Sequence, residues 1–292
     1  MADQAQGLRK LVEKMGRAKP SLHMTGSRVV AITSGKGGVG KSNLAVNLAL
    51  ALKEYGKKVL VFDADLGLGN VDVIMGIIPP FTLTHVVRGE RGLQDIIVSE
   101  YGINLIAGGS GVEELLDLPD WQLRNFLSQL QQLEDVSDYV LFDTGAGINR
   151  HVLGFVLAAT DIIVVTTPEP TAITDAYALL KVIASKNRDA VVRLLVNRVV
   201  NAQEARQVVR KLRLVAREFL SLELCDFGYI LEDASISRAV KAQKPFLYAY
   251  PRSPASQCLR QVAKNFLAGE GTLAKGDKLT SFFQRMLGLF RR

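Results

Sequence analysis

The sequence predicts an α/β fold, a single domain with a mostly parallel sheet covered by helices on both faces. Three observations predict it. Short runs of Val, Ile and Leu that are apolar at nearly every position recur along the chain, as strands buried on both faces require. Segments of helical periodicity separate them in a regular βα order. The first such pair encloses a glycine-rich stretch, "GKGGVGKS" at residues 35–42.

Taken in order, "RVVAIT" is the first strand, and a helix is expected over about 42–54. "KKVLVFD" and "INLIAG" follow as strands, then a helical pattern over about 112–134. "DYVLFD" leads to a helix at about 148–158, "DIIVVTT" to one at about 172–186, and "VRLLVN" to one at about 202–218. "FGYIL" is the last strand, with helices at about 234–242 and 254–268 behind it. No repeat of 20–50 residues interrupts this order. Two ends fall outside it: residues 1–26, and the tail that follows the Gly-containing linker "AGEGTLAKGD". The expected organisation is a partner-binding segment (1–26), a domain (27–268), and a linker with a terminal helix (269–292).

Composition narrows the classes. At 292 residues, 48% hydrophobic and 22% charged, with 9 Pro, the chain reads as ordinary globular protein. Its two cysteines, Cys225 and Cys258, form no CxxC, which argues against a disulfide framework or a closed metal site. The longest apolar stretch is broken by Asp161 and Pro168, and the start has no signal-peptide pattern, so no membrane span is expected. A net charge of +7 fits nucleic acid, an anionic lipid surface or a solubility device equally well.

The chemistry begins at the glycine-rich stretch. Gly35, Gly40, Lys41 and Ser42 satisfy G-x-x-x-x-G-K-[ST] between a strand and a helix. With Gly37, Gly38, Val39 and Asn43 they form a loop whose backbone N–H groups and helix N-terminus hold phosphate. Lys41 neutralises β/γ-phosphate charge, and Ser42 offers its hydroxyl to Mg²⁺. Two strand ends carry carboxylates, Asp63 with Asp65, and Asp143. That is where ligands sit in open α/β sheets. Asp143, with Asp63 nearby, suits the Mg²⁺ water shell, and Asp65 suits orientation of an attacking water. The bland alternative is a set of turn aspartates. From the residues alone Lys36 reads as a solvated loop lysine.

The order Lys-Gly-Gly-Val-Gly-Lys-Ser resembles the deviant phosphate loop of the MinD/ParA family of ATPases, and the resemblance runs over about 27–268. It implies a homodimer that sandwiches two ATP molecules, with Lys36 reaching nucleotide in the opposite subunit. "VFDADLGLGNVDVIMG" is similar to the family's first switch, which implies a catalytic role for Asp65 beside Lys36 and Lys41, and a nucleotide contact for Asn70. "DTGAGI" is similar to the second switch, with Gly145 where Pro is usual. "LLVNRV" implies that Asn197 reads the adenine edge; without the resemblance Asn197 is a turn residue. "YILEDASISRAVKAQKPF" resembles the segment that closes over the base, with Leu231 where Pro is usual.

"KSNLAVN" and "DTGAGIN" resemble the flagellar branch of that family, the FlhG group (also YlxH or FleN). "DQAQGLRKLVEKM" resembles that group's N-terminal activator, implying that Asp3, Gln4, Gln6, Leu8 and Arg9 stimulate the GTPase FlhF. From pattern alone, a helix docked on its own domain is the simpler reading. The tail, "KLTSFFQRMLGLFRR", carries Leu279, Phe282, Phe283, Met286, Leu287 and Phe290 on one stripe, with basic residues around it. This describes an in-plane membrane helix and resembles the MinD targeting sequence. Its alternative is a helix folded into a groove of its own domain, and both hold if docking in the monomer gives way to release in the ATP dimer. The resemblance implies a cytoplasmic protein, peripheral on the inner face of the cell membrane when ATP-bound, with flagellar rotor (C-ring) proteins as further partners. A DNA-partition ATPase and a division-site regulator are the alternatives. "RQVVRKLRLVARE" offers a basic helical face, but a phosphate binder needs no Phe-rich tail, so nucleic acid is not expected.

Overall fold

The computed structural model describes residues 27–65, 69–116, 118–134, 137–187, 191–269 and 278–290. Among them the strands are β1 (Arg28–Ser34), β2 (Val59–Ala64), β3 (Val98–Glu100), β4 (Ile103–Ala107), β5 (Tyr139–Ala146), β6 (Asp161–Thr166), β7 (Val191–Val199) and β8 (Leu224–Leu231). They form one sheet in the order β3-β4-β2-β5-β1-β6-β7-β8. Every neighbouring pair is parallel except β3 with β4. The seven predicted strands are all present. The three-residue β3, mostly polar, is too short to give a periodicity signal.

The helices are α1 (Lys41–Glu54), α2 (Val71–Met75), α3 (Leu83–Val87), α4 (Gly111–Leu116), α5 (Asp120–Glu134), α6 (Arg150–Ala158), α7 (Pro170–Lys186), α8 (Ala202–Leu220), α9 (Ala234–Lys241), α10 (Phe246–Ala249), α11 (Pro254–Ala268) and α12 (Leu279–Phe290). The helix expected over 112–134 is two. Pro119 lies between α4 and α5, where its ring and missing N–H are tolerated at a helix start and not in its interior.

Side chains alternate across the sheet, so each strand feeds two cores. Val29, Ala31, Phe62, Phe142 and Val164 pack under α5, α6, α7, α8 and α12. Val30, Ile32, Val61, Leu141 and Val165 pack under α1 and α11. At the foot of the sheet Asp161 accepts from Arg193 Nε at 2.8 Å and from Arg28, and both Asp161 and Arg193 are buried.

The terminal helix α12 is docked. Leu279, Phe282, Phe283, Met286 and Leu287 are all buried against α5, α6 and the strands below. Phe282 stacks on Phe142 at 4.5 Å between centroids, and Phe283 meets Phe62 at 5.9 Å and Phe126 at 5.3 Å. Arg285 donates to the Ala158 carbonyl, and Arg150 donates to the Phe290 carbonyl. Phe290 lies over Gly154, where a Cβ would collide with its ring. The apolar stripe expected to meet lipid therefore faces the protein's own core in this conformation. Burying five such side chains gains about 10 kcal/mol before conformational costs.

Candidate functional site

The glycine loop joins β1 to α1 at the carboxyl end of the sheet. Gly38 and Gly40 take positive φ, +76° and +99°, conformations that side-chain-bearing residues resist. Gly35 lies against α7, where a Cβ would run into the Asp175 carbonyl. The loop is thus shaped by close backbone approach as well as by its own turns. Val39 is buried, and Gly37 and Gly38 are exposed with open space above them.

Lys41 opens α1 and is 8% exposed. Burial pulls its pKa down, while the charges of Asp143 and Asp65 oppose the shift. Asp63 and Asp143 are neighbours across β2 and β5. Asp63 is tied up: it accepts from Asp65 N at 3.1 Å and Val71 N at 3.4 Å, so it clamps the two ends of the first switch. A Cβ at Gly69 would fall 2.6 Å from its Oδ2. Burial pushes its pKa up to about 6.

Asp143 is different. It is buried, and neither carboxylate oxygen has a hydrogen-bond partner among the described residues. Burial, then the charge of Asp63, pushes its pKa up to about 7. The Ser42 hydroxyl opposes the shift without closing a bond of good geometry. An orphaned carboxylate beside a serine hydroxyl fits a hydrated Mg²⁺, which needs few protein ligands. Of the three residues expected at the metal, Ser42 and Asp143 lie together, and Asp63, the neighbour of Asp143 across β2 and β5, also accepts from two backbone N–H groups.

Asp65 lies beside Gly145, where a Cβ would come 3.2 Å from its Oδ1. The glycine that replaces the usual Pro therefore leaves room for the carboxylate. The second switch is anchored to β1, since Thr144 Oγ1 donates to the Ile32 carbonyl at 3.0 Å and Gly147 N to that of Ser34 at 2.9 Å. Lys36 donates within its own chain, to Glu169 Oε2 at 2.7 Å and Thr171 Oγ1 at 2.9 Å. That hydrogen bond and charge hold the Glu169 carboxyl below its usual range.

Beside the loop is a cleft of about 600 Å³ lined by Gly40, Asn43, Asn197, Asp233, Ile236 and Phe246, among others. Asn197 Nδ2 donates to the Val39 carbonyl at 2.7 Å, which leaves its carbonyl oxygen for a ligand. Asn197 and Arg198 lie where the β7–β8 register slips, and Arg198 has φ +57°; such a bulge re-aims side chains. Asp233 caps α9 through Ser235 N and also accepts from Ala255 N. Buried Asn47 accepts from Leu247 N at 2.8 Å, fixing α10 and with it Phe246. Arg198, Asp233 and Phe246 belong to the cleft and were missed in sequence; only their place inside the base-closing segment or next to Asn197 hinted at them. Asn70 sits exposed at the start of α2. Asp3, Gln4, Gln6, Leu8 and Arg9 lie outside the described residues.

A phosphate loop, a buried lysine, strand-end carboxylates and an adjoining base-sized cleft make a nucleotide site. The family model described as "ParA: NUBPL iron-transfer P-loop NTPase" matches residues 26–267. The chain is 40% identical to the antiactivator FleN of Pseudomonas aeruginosa over 238 residues, 81% of this chain and 85% of that one. It is 41% identical to the flagellum site-determining protein YlxH of Helicobacter pylori over 267 residues, 89% of this chain and 90% of that one. The chain belongs to the MinD/ParA family of P-loop ATPases, in its flagellar FlhG branch. The family fold extends to solved structures. MinD of Pyrococcus horikoshii complexed with Mg-ADP matches with a TM-score of 0.66 and 25% identity over 83% of this chain and 98% of that one. The MinC:MinD complex of Aquifex aeolicus matches with a TM-score of 0.67 and 25% identity over 86% and 99%. Iron transfer, named in the family model's description, finds no paired cysteines here: Cys225 is exposed on β8 and Cys258 half-buried on α11.

Proposed function

We propose that this ATPase dimerises on ATP and Mg²⁺, associates peripherally with the inner face of the cell membrane, and regulates the number or placement of flagella. The observation that carries the reading is Lys41, buried at the start of α1 within the field of Asp143 and Asp65, with a second lysine, Lys36, in the same loop. In the reaction Lys41 holds the β/γ-phosphates, Asp65 orients the attacking water, and Asn197 and the cleft hold adenine. Bound Mg²⁺, held through Ser42 and Asp143, supplies charge neutralisation at the phosphates. Lys36 exchanges Glu169 for γ-phosphate in the partner subunit, so hydrolysis removes what joins the two copies. Its present bonds are exposed to solvent, where an ion pair is weak, so a charge-assisted phosphate contact readily offsets their loss.

The names FleN and YlxH support the flagellar role over division-site placement or DNA partition, and this reading adds rotor proteins as partners. Residues 1–26 serve as the FlhF activator; a synthetic peptide of residues 1–20 should raise FlhF GTP hydrolysis, and an unchanged rate removes that assignment. Membrane binding uses α12 after it leaves its groove, and the released face carries Phe282, Phe283, Met286, Leu287 and Phe290 on one side. No described helix is long and apolar enough to cross a membrane.

The test separates the two lysines. Lys36→Ala should bind ATP as the wild type does yet sediment as a monomer. Lys41→Ala should lose ATP affinity about tenfold or more, since it removes a charge-assisted contact worth about 1.5–3 kcal/mol. Equal affinity losses in the two variants would remove the trans role of Lys36.

A further inference from the structure

Helix α8 carries Arg206, Arg210, Arg213 and Arg217, all exposed. At 100° per residue the four fall within about 60° of one another and span about 16 Å along the helix. None of them has an ion pair or a hydrogen bond among the described residues. Several other surface arginines are engaged, Arg88 with Glu114, Arg260 with Glu54 and Arg150 with the Phe290 carbonyl, and the unengaged ones, such as Arg124 and Arg252, stand singly rather than in a row. Like charges at i, i+4 spacing disfavour a helix, so an unpaired row of this kind is not explained by the stability of α8.

The row forms one wall of an open groove that runs between α8 and the edge strand β8. Buried Val209 and half-exposed Leu214 give the groove an apolar footing, and Glu223 and Asp226 form its far wall. Guanidinium groups hold carboxylates or phosphates bidentately. Two acids facing the row discriminate between these. A bilayer surface or a duplex backbone presents continuous negative charge and would press it against Glu223 and Asp226. A single polypeptide segment can aim spaced carboxylates at the arginines and set apolar side chains on Val209 and Leu214.

We propose that the α8 groove is a docking surface for an acidic, amphipathic segment of a partner protein, separate from the nucleotide site and from the α12 groove. Recognition is by charge complementarity with a short apolar seam. It is independent of the nucleotide state unless the partner also touches the switches.

The probe is a fluorescent 14-residue peptide of Glu, Asp and Leu with blocked ends, titrated against the full chain at low and high salt. Binding should weaken with salt and fall at least tenfold in the double variant Arg210→Gln with Arg213→Gln. Leu214→Ser should weaken it severalfold, whereas Arg124→Gln with Lys264→Gln, two exposed basic residues elsewhere, should leave it unchanged. ATP affinity and the melting curve of each variant should match wild type, which separates loss of the surface from loss of the fold. Peptide binding that is absent, or equal in the arginine variant, overturns the proposal. A 30-base-pair duplex that binds more tightly than the peptide and is lost in the same variant overturns it in favour of nucleic acid. Loss of phosphatidylglycerol vesicle binding in that variant, with peptide binding intact, overturns it in favour of lipid.

Discussion

Asp143 concentrates the electrostatic problem of the site in one residue. It is a buried carboxylate with no hydrogen-bond partner among the described residues, its pKa pushed up to about 7 by burial and the charge of Asp63. A raised carboxylate pKa stabilises the fold fully below the unfolded value near 3.8 and loses that stabilisation as pH rises through about 7. Asp63, raised to about 6, acts in the same direction, and the adjacent pair titrates together. The metal-free protein should therefore melt at lower temperature at pH 8 than at pH 5, by up to about 1.4 kcal/mol per pH unit for each group. Asp143→Asn should flatten most of that slope in a thermal scan and weaken Mg²⁺-dependent nucleotide binding; parallel slopes for the two proteins would refute the account of this carboxylate. The phosphate-loop residues were legible because their chemistry depends on local spacing. Asn197 was legible only through resemblance, since an Asn after a strand is equally a turn residue. Arg198, Asp233 and Phe246 reach the cleft through a bulge and a side-chain clasp on α10, which are long-range consequences that a linear pattern does not carry.

At the scale of elements, α12 shows what periodicity can and cannot say. The stripe of Leu279, Phe282, Phe283, Met286 and Leu287 was readable, and the helix is present. Which apolar phase the stripe meets was not readable, because a lipid interior and a protein groove reward the same side chains in the same spacing. Here it meets Phe62 and Phe142, whose chain neighbours are Asp63 and Asp143. Strand alternation puts the phenylalanines on the α12 face and the carboxylates on the α1 face, so one stretch of backbone serves tail and nucleotide together. At Gly154 the docked helix leaves no room for a Cβ, because the Phe290 ring lies there. Gly154→Ala should displace Phe290 and loosen the end of α12, which raises vesicle binding without nucleotide and raises hydrogen exchange over 279–290. Unchanged exchange there would mean that the groove absorbs the methyl and that the contact does not hold the helix. The short elements were missed for a plainer reason: α2, α3, α10 and β3 are three to five residues each, below the length at which a period can be seen.

At the scale of the whole molecule, the run of doubly apolar strands fixed the class of fold while leaving the strand order open. Burial on both faces is common to every interior strand, and only tertiary packing puts β1 between β5 and β6. That placement brings the phosphate loop, the second switch and the Glu169 connection to the carboxyl end of adjacent central strands. The α12 groove lies on one face of the same sheet and the base cleft on the other. The proposed function couples nucleotide, dimer contact and tail through this one sheet, and it is that coupling which can be measured. The most direct measurement is flotation of the full chain on anionic vesicles with Mg-ATP, with Mg-ADP and without nucleotide, alongside Asp65→Ala, which should trap the ATP-bound dimer. The account predicts that the wild type floats with Mg-ATP alone and that Asp65→Ala floats with Mg-ATP for longer. Equal flotation in all three conditions, or none with Mg-ATP in either protein, would contradict it.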